Sequence, residues 1–130
     1  MRDLIEAAMA ARGKAHAPYS RFFVGAAVRD EQGRVFAGCN IENAAYPQGW
    51  CAEPSAISAM IMAGGKTITE MAVMGNGDVL CTPCGGCRQK IREFAGPGVA
   101  IHCCTETGTL IRSFTLAELL PFSFGPEHLP

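Results

Sequence analysis

Between residues 51 and 104 the chain switches between helical and strand-like patterns, and this alternation restricts its fold more than any other feature. CAEPSAISAMIMA (51–63) repeats Ala, Ile and Met at helical spacing and stops at Gly64-Gly65, a doubled helix terminator. ITEMAVMG (68–75) is an apolar run of strand length. GGCRQKIREFAG (85–96) then carries a short helix ending at Gly96-Pro97, and VAIHCC (99–104) reads as a second buried strand. Strands separated by helices of this length require crossovers, which predict a mostly parallel sheet covered on both faces. Upstream, Leu4, Ile5, Ala8, Met9 and Ala11 place a helix over 3–14, while FFVGAAVRD (22–30) and RVFAGCN (34–40) flank the turn DEQG as a hairpin, the antiparallel part of the sheet. Downstream, LIRSF (110–114) reads as a fifth strand, and Thr115 caps a final short helix, LAELL. The expected order is α, β, β, α, β, α, β, β, α in a single domain spanning 1–130.

Eleven basic and twelve acidic residues, mixed along the chain, leave a formal net charge of −1. That balance offers no electrostatic footprint for nucleic acid or an anionic membrane, so a small-molecule partner is expected. MRDLIEAAMAARGK has charges inside its apolar pattern, unlike a signal peptide, and no stretch approaches a membrane span. Seven cysteines, two of them adjacent, argue against a disulfide framework and for a reducing cytoplasm.

Where the cysteines fall points to chemistry. Cys51 opens one predicted helix and Pro83-Cys84 the next, with Cys87 one turn on and on the same face. Helix N-termini carry partial positive charge and favour thiolate over thiol. Three thiolates at two such ends make a metal site suited to zinc, whose catalytic form keeps three protein ligands and a fourth position for water. Glu53, two residues after Cys51, supplies an acid or base beside the ligands. A rival pattern runs Cys81, Cys84, Cys87 as the start of an iron–sulfur site, with Cys103 or Cys104 completing it. Cys39, Cys103 and Cys104 otherwise read as small buried hydrophobes, and Met60, Met62, Met71 and Met74 as core filling. His16, His102 and His128 are not at ligand spacing. Trp50 either walls a pocket or packs.

C-A-E at 51–53 with P-C-G-G-C-R-Q at 83–89 resembles the cytidine deaminase signature. APYSRFFVGAAV (17–28), GCNIENAAYPQGWCAE (38–53) and LLPFSFGPEHL (119–129) resemble segments of the small homotetrameric members of that family, so the likeness covers nearly the whole chain. It implies an α/β/α three-layer fold with a mixed, roughly five-stranded sheet. It also implies one Zn²⁺ per chain on Cys51, Cys84 and Cys87, with Cys81 a bystander on the strand side. The implied reaction is hydrolytic deamination of cytidine or deoxycytidine to uridine or deoxyuridine with release of ammonia, Glu53 moving the protons. Asn40 and Glu42 resemble the pair that binds ribose hydroxyls, Phe22 the aromatic against which the base packs, and Ala52 a backbone donor to the base carbonyl. Phe124 resembles a tail aromatic that reaches a neighbouring subunit's pocket, with Tyr46 on the shared wall, which makes the active form a tetramer.

One position departs from the pattern. Where many cytidine deaminases read C-A-E-R, this chain has Pro54, so an arginine that would donate to the zinc thiolates is absent. Three thiolates and Zn²⁺ sum to −1, which calls for compensation. Arg88, adjacent to Cys87, and the two helix N-termini are the candidates. Deaminases of the blasticidin S type also lack that arginine, which keeps a related aminopyrimidine nucleoside as an alternative substrate and a non-catalytic zinc-stabilised binding protein as a third reading.

Overall fold

A computed structural model describes residues 1–130. Helix α1 (Arg2–Arg12) precedes the hairpin of β1 (Gly25–Asp30) and β2 (Val35–Cys39); α2 (Ala52–Met62) leads to β3 (Ile68–Met74), and α3 (Gly85–Arg92) to β4 (Ala95–Cys104). Strand β5 (Leu110–Thr115) and α4 (Leu116–Leu119) follow, with single 3-10 turns at Tyr46–Gln48 and Pro126–His128. Every expected element is present in the expected order. No helix is long and apolar enough to cross a membrane.

The five strands lie in the order β2-β1-β3-β4-β5. The expectation of a mostly parallel sheet is wrong: only β3 and β4 are parallel neighbours, and β1–β2, β1–β3 and β4–β5 are antiparallel. A crossover helix fixes the relative direction of the two strands that it joins, but not whether they touch. Helix α2 does make β2 and β3 parallel; β1 lies between them, antiparallel to both. The last two strands are joined by a tight turn and therefore reverse. The mixed five-stranded sheet is the one that the family resemblance implied.

Alternation along the strands sorts two cores. On one face Leu4, Ile5 and Ala8 of α1 pack against Ala27, Ala72, Met74 and Cys104. On the other, α2, α3 and α4 bring Ala56, Met60, Ile91 and Leu116 against Val28, Met71, Val73, Ile101 and Cys103. Met60, Met71 and Met74 are buried as expected, but Met62, at the end of α2, is 87% exposed. Strand β4 runs through Gly96-Pro97, which read as a helix end; the register shifts between Ile68 and Glu70 there, and a proline that cannot donate to a ladder is accommodated at such an irregularity. Nearly buried His102 lies between the Ser113 hydroxyl and the Glu70 carboxylate, 2.7 Å from each.

Two glycines set how closely the helices approach the sheet. A β-carbon at Gly25 would lie 2.0 Å from the Ala8 carbonyl oxygen, and one at Gly38 would lie 2.5 Å from the Ala56 nitrogen. The second contact seats α2, whose N-terminus carries Cys51 and Glu53, directly on β2.

The hairpin turn depends on Asp30. Its buried carboxylate accepts from the Gln32 and Arg34 backbone N–H groups at 3.0 and 2.8 Å and from Arg34 Nε at 2.9 Å. Burial alone would raise its pKa, but these donors hold it below the usual carboxylate value. A depressed folded-state pKa contributes stability above the unfolded value of about 3.9 that is lost as pH falls through the folded value. Asp30→Asn is therefore expected to lower Tm at neutral pH and to flatten the fall in Tm below about pH 4; thermal melts of both proteins across that range check this.

Candidate active site

Two helix starts meet at one end of a cleft. Cys51 is the N-cap of α2 and Cys84 that of α3, both in extended backbone (ψ 163° and 169°), and neither side chain caps its own helix. Their sulfurs are thus left for another purpose. Cys87, three residues into α3's numbering from Cys84, is buried. The ligand atoms of Cys51, Cys84 and Cys87 all lie within 4.8 Å of one another. Thiolates about 2.3 Å from a tetrahedral zinc stand roughly 3.8 Å apart, a spacing compatible with a trio this close. Burial raises the pKa of Cys51 and Cys87; Cys84 is lowered, because the Cys87 N–H and neighbouring thiols outweigh its own burial. Three thiolates so close together repel unless a cation sits among them, and that donor set fits zinc. Pro54 falls in the first turn of α2, where no intrahelical N–H bond is lost.

Glu53 lies in the same turn and is 4% exposed. Burial raises its carboxyl above the ordinary value, against smaller opposing effects of the Cys87 thiol and the Lys90 charge. The cleft has a volume of about 440 Å³. Phe22, Val24, Ile41, Tyr46 and Trp50 line it together with Asn40, Glu42, Ala52, Glu53 and the three cysteines. Trp50 is a wall: reciprocal 2.9 Å backbone bonds with Ile41 fix it beside Cys51. Ala52 is buried at the first position of α2, where a helix leaves its N–H without an intrahelical acceptor.

Asn40 and Glu42 are held by their own surroundings. Asn40 Oδ1 accepts from the Val24 N–H at 2.9 Å, and its Nδ2 donates to the Phe22 carbonyl at 2.8 Å. That leaves one amide proton and one oxygen lone pair free. Glu42 accepts from the Ser20 hydroxyl and from the N–H groups of Tyr19 and Ser20 at 3.0 and 3.1 Å, which keep its pKa low. Nothing in the local pattern around Glu42 pointed to Ser20; only the fold joins segments this far apart.

Cys81 is outside the thiol trio, as the family resemblance implied; it lies in the β3–α3 loop and lines the cleft. The iron–sulfur arrangement does not assemble: Cys103 and Cys104 point into the cores on opposite faces of the sheet. Phe124 lies outside the cleft of its own chain. Its ring stacks on His128 at 5.1 Å, and its carbonyl accepts from Gln89 Nε2.

Arg88 does not serve the thiolates. Its Nε donates to the Pro83 carbonyl at 2.7 Å, and its terminal nitrogens donate to the Leu119 carbonyl at 2.7 Å and Thr82 Oγ1 at 2.9 Å. The side chain ties α4 to the turn before α3. Arg88→Gln should lower Tm by about 3–10 °C through those orphaned carbonyls. Zinc stoichiometry should be unchanged; melts with metal analysis of the same samples measure both.

Thiols gathered from two helix starts, with an acid held among them, are how zinc deaminases are built, and the fold and cleft define a protein of that class. Residues 1–103 match the family of the cytidine and deoxycytidylate deaminase zinc-binding region, and the chain belongs to the cytidine deaminase family. It is 39% identical to the cytidine deaminase of Sporosarcina psychrophila over 99% of this chain and 94% of that one. It is 42% identical to that of Mycobacterium tuberculosis strain H37Rv over 95% of this chain and 88% of the relative. The crystal structure of cytidine deaminase from Burkholderia pseudomallei superposes with a TM-score of 0.86 at 42% identity, covering 94% of this chain and 97% of that chain.

Proposed function

We propose that this chain deaminates cytidine and deoxycytidine by zinc-dependent hydrolysis, with Cys51, Cys84 and Cys87 as the ligands and Glu53 as the proton carrier. The observation that carries this reading is the buried Glu53 carboxyl, its pKa raised, in one cleft with the three thiols. Bound zinc supplies a water acidic enough to attack at neutral pH. Glu53 takes a proton from the attacking water and gives one to ring N3; a second transfer protonates the amino nitrogen on C4. The water oxygen bonds to C4, the C4–N bond breaks, and ammonia leaves. Phe22 packs against the base, the Ala52 N–H donates to its carbonyl, and Asn40 and Glu42, held rigid by their loops, take the ribose hydroxyls.

The charged side chains lining the cleft, apart from the thiols, are Glu42 and Glu53, and no Lys or Arg lines it. A 5′-phosphate would meet negative charge, which favours the nucleoside over the nucleotide. The decisive assay follows ultraviolet absorbance of cytidine and of its 5′-monophosphate with zinc-loaded protein. Conversion of cytidine, with at least tenfold lower kcat/KM for the nucleotide, is the expected result; a folded, zinc-bound protein inert to cytidine overturns the reading. Blasticidin S belongs in the same assay because Trp50 walls the cleft. Glu42→Gln should raise KM for cytidine about tenfold by weakening a charged hydrogen bond.

A homotetramer completes this reading. Helix α2 is apolar nearly all round and exposes Ile61 and Met62, while Phe122 and Phe124 of the tail stand in solvent. Exposed apolar surface of this kind favours association with further copies, and Phe124 would then reach a neighbour's cleft beside Tyr46. Reduced thiols suit a cytoplasmic protein. Light scattering on the eluting protein gives the subunit number.

A further inference from the structure

Three thiolates around Zn²⁺ carry a net −1, and an ionised Glu53 beside them adds another negative charge. Two of the expected remedies are absent: Pro54 brings no donor, and Arg88 directs its donors to Pro83, Thr82 and Leu119. Lys90 is a further cation whose charge reaches the cleft, at Glu53. It lies in the last turn of α3, where the helix dipole favours an ammonium beside the terminal carbonyls. Its side chain instead runs back along the helix. A β-carbon on Gly86 would stand 3.8 Å from Nζ, which sets the ammonium over the first turn of α3, where the dipole opposes a positive charge. Something must offset that cost. The Trp50 ring is one part, with its centroid 5.1 Å from Nζ. Trp50 directly precedes Cys51, so the same contact brings the ammonium to the ligand end of the cleft, and Pro54 and Lys90 line one groove beside it.

We infer that Lys90, held on the face of Trp50, is a positioning charge for the metal centre and offsets the negative charge of the zinc–thiolate cluster in place of an arginine at position 54. This rests on the proposed zinc site. Of the acidic groups at the site, Glu53 of α2 feels the Lys90 charge directly; Cys87 follows Gly86 in the first turn of α3, and Cys51 and Cys84 are the N-caps of the two helices.

The test is zinc affinity at fixed pH, measured by competition with a chromophoric chelator, at low ionic strength and again in about 1 M sodium nitrate. Lys90 is exposed, so Lys90→Met changes the charge without opening the core. Its zinc dissociation constant should rise about three- to tenfold at low salt, and the gap should close at high salt because the Debye length shrinks to about 3 Å. Lys90→Arg should recover most of the loss. Trp50→Leu should weaken zinc in the same salt-dependent way and add little to Lys90→Met, since both act through one contact. Equal affinity of wild type and Lys90→Met at low salt overturns the inference, as does a gap that salt leaves unchanged, which would mark a packing role. A wild type that binds no zinc fails at the earlier step and overturns the site itself.

Discussion

Glu53→Gln is expected to fold, bind zinc and yet deaminate cytidine about 10²- to 10⁴-fold more slowly in kcat. The amide matches the carboxyl in size but cannot carry a proton between water, N3 and the departing nitrogen. Because Glu53 is 4% exposed, its ionised form is held at a desolvation cost, and the neutral amide removes that cost while forfeiting only a first-turn dipole interaction of about 0.3–1 kcal/mol. Stability should therefore hold or rise, the usual trade-off at an active site. Initial rates by absorbance, zinc by chelator competition and a thermal melt on one preparation separate the cases. Retained activity sinks the assignment of Glu53. Activity lost together with zinc would make Glu53 a ligand instead.

Cys87→Ser should lower zinc affinity by at least about a hundredfold, more than changes to groups behind the ligands produce. Cys87 is 1% exposed and belongs to the trio within 4.8 Å, so no solvent group can replace its sulfur, and a hydroxyl is a poor zinc ligand. Metal binding to the folded state also raises Tm through linkage. Excess zinc should lift the melting temperature of the wild type but not that of Cys87→Ser. Cys81→Ser is the matched control: it lines the same cleft outside the trio and should keep one zinc per chain. Equal zinc binding by Cys87→Ser and wild type would remove Cys87 from the ligand set.

Much of the site could be read before any coordinates because its parts depend on local signals. Cys51, Cys84 and Cys87 stand at helix starts marked by pattern changes and by Pro83, and Glu53 follows in the first turn. The partners of those residues could not be read in this way. Arg88 sits beside a cysteine in sequence, yet its donors go to Leu119, 31 residues on, and to Pro83 and Thr82. Lys90 had no signal at all, since its position over Trp50 depends on α3 meeting the segment that precedes α2.

The sequence by itself determined the nine elements and their order, because periodicity, glycine stops and caps act within a few residues of chain, while the choice of Cys51, Cys84, Cys87 and Glu53 came from the family resemblance of its motifs. Only the tertiary structure decided that β1 separates β2 from β3, that Cys103 and Cys104 face opposite cores, and that Ser20 holds Glu42. Strand adjacency and the pairing of distant donors and acceptors are set by which surfaces bury together, and no local periodicity encodes that choice.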